Sequence, residues 1–118
     1  MQETASGLKY QVVNEGTGSN PQQGETVIVH YTGYLESGEV FDSSIPREQP
    51  FQFPLGQKRV IAGWDEGIAL MKIGGKTRFT IPSNLAYGER GFGKIIPAKA
   101  TLVFDVELLG VRPAPLRQ

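Results

Sequence analysis

Thr26-Val-Ile-Val-His-Tyr-Thr-Gly-Tyr-Leu35 is the stretch on which the fold turns. Its β-branched and aromatic residues suit a pleated, half-buried backbone. The period is two, with Val27, Val29 and Tyr31 on one face and Ile28, His30 and Thr32 on the other. Working outward, Ser37-Gly38 separates this strand from Val40-Phe41, a hairpin signal. Upstream, Leu8, Tyr10 and Val12 alternate with Lys9 and Gln11 until Gly16-Thr17-Gly18 breaks the run, which predicts a first strand. Downstream, strands are predicted over Phe51 to Leu55, Lys76 to Ile81 and Thr101 to Leu109. Pro82 closes the second of these, because it has no N–H for the ladder. Leu102, Phe104, Val106 and Leu108 share a face of the third.

A single stretch reads as helix. Trp64, Ile68 and Met71 recur at spacings of four and three, Asp65-Glu66 lie near its start, and Gly74-Gly75 are expected to end it. A helix this short, with Gly67 inside it at a cost of about 1 kcal/mol relative to Ala, needs packing against a sheet. The fold class is therefore α+β, a curled antiparallel sheet wrapped around one short helix. Residues 1–7 read as an N-terminal leader, 8–111 as one domain and 112–118 as a C-terminal tail, with Arg112-Pro113-Ala114-Pro115 as a frayed end. Two connections exceed simple turns: Ser43 to Pro50, with Ile45-Pro46-Arg47, and Ser83 to Ala100, with Tyr87, Phe92 and Ile95-Ile96. Long apolar loops of this kind are usually functional.

Composition removes whole classes of chemistry. A chain of 118 residues, 39% hydrophobic and 20% charged, has the makings of one globular core. Twelve basic residues balance twelve acidic ones, so no bulk charge draws the chain to nucleic acid or anionic lipid, and neither partner is expected. No apolar run approaches the roughly 20 residues of a membrane-spanning helix. With no cysteine there is no disulfide, thiolate ligand or Cys nucleophile, and one histidine excludes a His-rich zinc site. Metal and cofactor are both expected to be none. The first residues lack a basic region followed by an apolar run, so a cytoplasmic location is expected, or a periplasmic or organellar one if an upstream segment was removed.

Two motifs are incomplete. Gly88-Glu-Arg-Gly-Phe-Gly93-Lys94 matches the first seven positions of a phosphate-binding loop. Its eighth position is Ile95 rather than Ser or Thr, and Pro97 and a strand follow instead of a helix N-terminus. His30 lies mid-strand and reads as a hydrogen-bonded strand histidine, not as the base of a serine triad. Asp42, the adjacent Asp65 and Glu66, and Asp105 fall on three separate elements, and their spacing in sequence gives no support to carboxylate-pair chemistry.

What remains is aromatic. Val29-His-Tyr-Thr-Gly-Tyr-Leu35, Gly38-Glu-Val-Phe-Asp-Ser-Ser44, Val60-Ile-Ala-Gly-Trp64, Ala86-Tyr-Gly88, Ile95-Ile-Pro97 and Ala100-Thr-Leu-Val-Phe-Asp-Val-Glu-Leu108 resemble the signature blocks of FKBP-type peptidyl-prolyl cis/trans isomerases. They occur in family order and spacing from about Gly7 to Val111. The resemblance implies a monomeric isomerase of Xaa-Pro bonds that assists folding, with proline-containing peptides or proteins as substrates and macrolides as ligands of the same pocket. It places Trp64 as the floor under the proline ring and Tyr31, Phe51, Val60, Ile61 and Phe104 as walls. It gives the Ile61 N–H and the Tyr87 hydroxyl to substrate carbonyls, sets Phe41, Asp42, Phe92 and Ile96 around the rotating amide, and makes Arg47 the partner of Asp42. Asp42, Tyr87, Phe41 and Trp64 carry catalysis on this reading. Phe92, where many eukaryotic members have His, and Gly93-Lys94, where Pro-Gly is common, bear on preference before the proline. The Ser6-Gly-Leu-Lys-Tyr10 and Gly88-Glu-Arg-Gly91 segments look bacterial or organellar. The alternative is a non-catalytic proline-peptide or macrolide binding module of the same fold. A chaperone built on an inserted flap lacks the chain length it would need.

Overall fold

The computed structural model describes residues 1–113; of the tail expected over 112–118, the part from Ala114 onward lies outside the described residues. In chain order the elements are β1 (Gln2–Glu3), β2 (Lys9–Asn14), β3 (Thr26–Leu35), β4 (Val40–Ser43), β5 (Phe51–Pro54), α1 (Ala62–Ile68), β6 (Lys76–Ile81), a 3₁₀ turn (Ser83–Leu85) and β7 (Leu102–Arg112). All strand pairs are antiparallel, in the order β1, β2, β6, β7, β3, β4.

β3 is the hub. One edge pairs with β7 from Thr26 to Leu35, while the other is shared between β5, along Thr26 to Val29, and β4, along Thr32 to Tyr34. The fork between them falls at His30 and Tyr31. Ser44, fully buried, stitches it: its N–H donates to Tyr31 O at 3.0 Å and its Oγ accepts the Tyr31 N–H at 2.8 Å. His30 Nδ1 lies 2.8 Å from the same Oγ, so the histidine is a hydrogen-bonded strand residue as the sequence implied. With these groups paired, the fork leaves no orphaned backbone at Tyr31.

The two sheet faces differ as the alternation predicts. Val27, Val29, Tyr31, Phe79, Ile81, Leu102, Phe104, Val106 and Leu108 point inward and are buried, each such apolar side chain contributing about 1.5–3 kcal/mol. α1 lies against this face, with Gly63, Trp64, Gly67 and Ile68 buried. Gly67, which looked like a local defect, is what lets the helix approach. A Cβ there would lie 2.6 Å from Phe79 Cε1, and one at Gly63 would lie 2.6 Å from Ile81 Cγ2.

Three boundaries depart from the sequence reading. The helix ends at Ile68, not at Gly74-Gly75, because i to i+3 bonds from Leu70 N–H to Gly67 O and from Met71 N–H to Ile68 O tighten the chain and drive Met71 into the core. Gly74, at φ 88°, and Gly75 instead turn the chain into β6 and bond to Leu108 on β7. β7 runs to Arg112, beyond the expected Leu109, since a bulge opposite Ile28 and Val29 resets the alternation and brings Val111 opposite Val27. Within the expected leader, Gln2 and Glu3 pair with Tyr10 and Lys9, and Ser6 Oγ donates to Glu66 of α1 at 2.5 Å. Val12, which alternates with Leu8 and Tyr10, is 40% exposed although it pairs in register with Thr77 of β6.

Candidate functional site

Where the sheet curls over the start of α1 there is a cavity of about 320 Å³. Tyr31 and Phe104 come from paired central strands, Phe41 and Asp42 from β4, and Phe51 from β5. Val60, Ile61 and Trp64 come from the helix start and Tyr87 from the long loop after β6. All of these belong to the set singled out from sequence. The aromatic rings meet edge to face: Tyr31 to Trp64 at 5.0 Å and 77°, Trp64 to Phe104 at 5.2 Å and 84°, Phe41 to Phe104 at 5.5 Å and 86°. Each such pair contributes about 0.5–1.5 kcal/mol beyond burial, which favours these ring orientations. Gly33 makes the wall possible, because a Cβ there would lie 2.7 Å from Phe41 Cζ and 2.8 Å from Phe104 Cε1.

Trp64 is 4% exposed, with Phe51 and Phe53 also against it. Its Nε1 is buried without a hydrogen-bond partner among the described residues. An orphaned buried donor costs roughly 1–3 kcal/mol, which the packing of four rings offsets.

The polar groups gather on one side of the mouth. Tyr31 donates its hydroxyl to Asp42 Oδ2 at 2.5 Å, and Arg47 donates to Asp42 Oδ1 at 3.2 Å and to the Tyr31 oxygen at 3.3 Å. Burial alone would raise the Asp42 pKa, but the Tyr31 hydroxyl and the Arg47 guanidinium outweigh it, and the carboxyl is held below its ordinary value. Burial pushes the Tyr31 hydroxyl up, helped by Asp42. It does the same to Tyr87, where the Asp42 charge adds to it. At neutral pH the mouth therefore holds one carboxylate and two neutral phenols. The Tyr87 hydroxyl and the Ile61 N–H donate to no other described residue, which leaves two donors available in an apolar setting.

A loop of positive-φ residues frames this arrangement. Asp65, at the start of α1, accepts from Gly56 N–H at 2.9 Å and from Lys58 N–H at 3.2 Å, fixing the turn that presents Arg59, Val60 and Ile61. Gly56 at φ 77° and Lys58 at φ 59° occupy the left-handed region this turn needs. The sequence marked Asp65 only as a helix-start acid. Arg59, also unmarked, lines the cavity; its place before Val60-Ile61 was the available signal.

Two residues that the resemblance sets around the amide do not line the cavity. Ile96 is 3% exposed and belongs to the core, where it pairs with Phe92 in a short bridge that closes the long loop. Phe92 is 58% exposed and packs on Tyr87, with ring centroids 5.2 Å apart. Arg47 reaches the site only through Asp42 and Tyr31, and otherwise lines a separate hollow beside Phe51. The loop from Gly88 to Lys94 is followed by this bridge and not by a helix, so it offers no phosphate cradle.

The family model described as FKBP-type peptidyl-prolyl cis-trans isomerase matches residues 17–109. This chain belongs to that family. FkpA of Aeromonas hydrophila, described as an FKBP-type peptidyl-prolyl cis-trans isomerase, is 56% identical over 112 residues, 94% of this chain and 41% of that protein. FK506-binding protein 1 of Candida glabrata is 51% identical over 113 residues, covering 94% of this chain and 99% of its own length. The crystal structure of FkpA from Escherichia coli superposes with a TM-score of 0.90 at 48% identity, covering 97% of this chain and 52% of that one. The chain thus spans about half or less of the FkpA proteins and nearly all of the Candida relative. The antiparallel sheet with its one short helix is the FKBP architecture.

Proposed function

We propose that this chain accelerates cis/trans rotation about Xaa-Pro bonds in flexible or unfolded protein segments, and that the aromatic cavity is where it does so. The observation that carries the reading is a cavity walled mainly by aromatic and aliphatic side chains, with Asp42 and Arg59 as its charged members and two unpaired donors. Rotation breaks no covalent bond; its barrier of about 18–20 kcal/mol is lost amide resonance. Twisting reduces the charge separation of the amide, so the twisted oxygen needs less solvation than the planar one. Where the bound segment covers the aromatic lining and excludes water, the site consequently favours the twisted form.

In this reading the proline ring lies on Trp64 between Tyr31, Phe51, Val60, Ile61 and Phe104. The Ile61 N–H and the Tyr87 hydroxyl hold carbonyls on either side, which fixes the chain while the amide turns. Asp42, steadied by Tyr31 and Arg47, sets the field at the rotating bond beside Phe41. Phe92 acts through Tyr87, on the residue before the proline. A macrolide of the FK506 type, the ligand named for the Candida relative, would occupy the same cavity. Uncatalysed isomerisation takes about 10–100 s, slow enough to limit folding.

The test is isomerisation of a short Xaa-Pro peptide with and without FK506. Acceleration that the macrolide abolishes is expected. Macrolide and peptide binding without acceleration would leave a binding module of the same fold, and acceleration that is indifferent to the macrolide would move the site away from this cavity.

A further inference from the structure

We propose that Arg59 makes this site select proline segments carrying a carboxylate side chain on a residue flanking the proline. The inference rests on the isomerase reading and adds a substrate class to it. Two charged side chains line the cavity, Asp42 and Arg59. They are in opposite circumstances. Asp42 is engaged by the Tyr31 hydroxyl and by Arg47. Arg59 is exposed and makes no hydrogen bond or ion pair with any described residue.

The acids of the adjoining helix are committed elsewhere. Both oxygens of Asp65 accept backbone N–H groups of the Gly56 to Lys58 turn, and Glu66 accepts from Ser6. Arg47, the other guanidinium near the mouth, has its charge answered by Asp42. Arg59 is therefore the uncompensated charge of the lining. It is also positioned, because it directly precedes Val60 and Ile61 on a turn that Asp65 holds. An Arg fork takes a carboxylate in a two-pronged geometry and has no acceptor to offer a donor group. A neutral acceptor such as the Gln carbonyl takes only a weaker hydrogen bond without the charge, and Lys or Arg on the substrate is repelled.

Lys58 provides the internal comparison. It is also exposed and basic, but it lines the hollow on the far side of the turn with Ala62 and Glu66 rather than the cavity.

The experiment compares matched peptides that differ only as Glu against Gln, placed before or after the proline. It reads kcat/KM for isomerisation and, independently, Kd from the fluorescence of Trp64, the sole tryptophan. For the wild type, Glu is expected to be favoured about two- to five-fold at low salt, the range of an exposed ion pair. The preference should fade near 1 M salt, where screening acts over about 3 Å. Arg59→Gln should bring the Glu/Gln ratio to about one, Arg59→Glu should invert it, and Lys58→Gln should leave it as in the wild type. An equal ratio in wild type and Arg59→Gln overturns the proposal, as does loss of the ratio in Lys58→Gln, which would mean a diffuse field. Acceleration without charge preference sinks this inference alone, whereas charge-selective binding without acceleration sinks the isomerase reading alone. Neither turnover nor binding of any peptide overturns both.

Discussion

On the outer face of the sheet, Arg78 and Asp105 sit directly opposite each other on β6 and β7 and meet through two hydrogen bonds of 2.7 and 2.9 Å. On the inner face, Asp42 meets Arg47 through one bond of 3.2 Å and gives its other oxygen to Tyr31 at 2.5 Å. The residue types are the same and the uses differ. Asp105 is lowered chiefly by Arg78 itself, so the outer pair is closed and each partner satisfies the other. Burial acts to raise Asp42, and Tyr31 as well as Arg47 brings it below its ordinary value, so its charge is tied to the cavity wall. A closed pair holds strands together; an open, shared one leaves a field at the mouth.

The contrast between the faces is greatest at Trp64. Trp64→Ala removes a ring in contact with Tyr31, Phe51, Phe53 and Phe104, and should cost about 3–5 kcal/mol in urea unfolding while reducing isomerase activity to near background. On the outer face, Tyr34 lies under the Arg78 guanidinium at 5.8 Å, and Tyr34→Ala should cost about 1 kcal/mol and leave activity at the wild-type level. Comparable losses in the two variants would break the distinction between a working face and a supporting one. Because Trp64→Ala could reduce the folded population, Trp64→Phe serves as its companion: it should fold and still lose activity.

The two aspartates sharpen the comparison at a smaller scale. Asp42→Asn should lower kcat/KM by about ten-fold, the size of one charge-assisted hydrogen bond at about 1.5 kcal/mol, with the fold retained by circular dichroism. Asp105→Asn should leave kcat/KM unchanged. Full activity in Asp42→Asn would mean that the shared pair is structural. In the wild type the pH profile of activity should be flat from about pH 5 to about pH 9, since Asp42 is lowered and Tyr31 and Tyr87 are raised, which moves all three titrations outside that window.

Strands were readable where alternation was regular. β3 and most of β7 follow from Val27, Val29, Tyr31 and from Leu102 to Leu108, whose inward and outward sides the sequence separates. What the sequence hid was close approach and register. Gly33, Gly63 and Gly67 look alike as letters, yet each is required by a specific ring or methyl group on a different element. The bulge that carries β7 to Arg112 depends on β3, which is more than sixty residues away. In the site, the blocks that resemble the family supplied the aromatic lining. Arg59 and the clamp by Asp65 escaped because a charge next to a motif looks like ordinary solvated surface. The motif names Phe92 and Ile96, but only the bridge across the loop decides that one stands exposed against Tyr87 and the other is buried in the core.

The smallest expected effect belongs to the closed pair. Arg78 is about half exposed, and a double-mutant cycle of Arg78→Met with Asp105→Asn should return a coupling of only about 0.2–1 kcal/mol near pH 7. Its sign with pH is fixed. The folded pKa of Asp105 is depressed, so the pair's contribution is complete above the unfolded value of about 3.9 and is lost as pH falls through the lower folded value. Urea melts from about pH 6 down to about pH 2 should show the coupling shrink toward zero, and the loss should lie below about pH 4. A coupling that survived protonation of Asp105 would assign the pair's contribution to packing of the Arg78 stem and its contact with Tyr34. The two pairs would then differ in kind, with charge mattering only where Tyr31 draws it into the cavity.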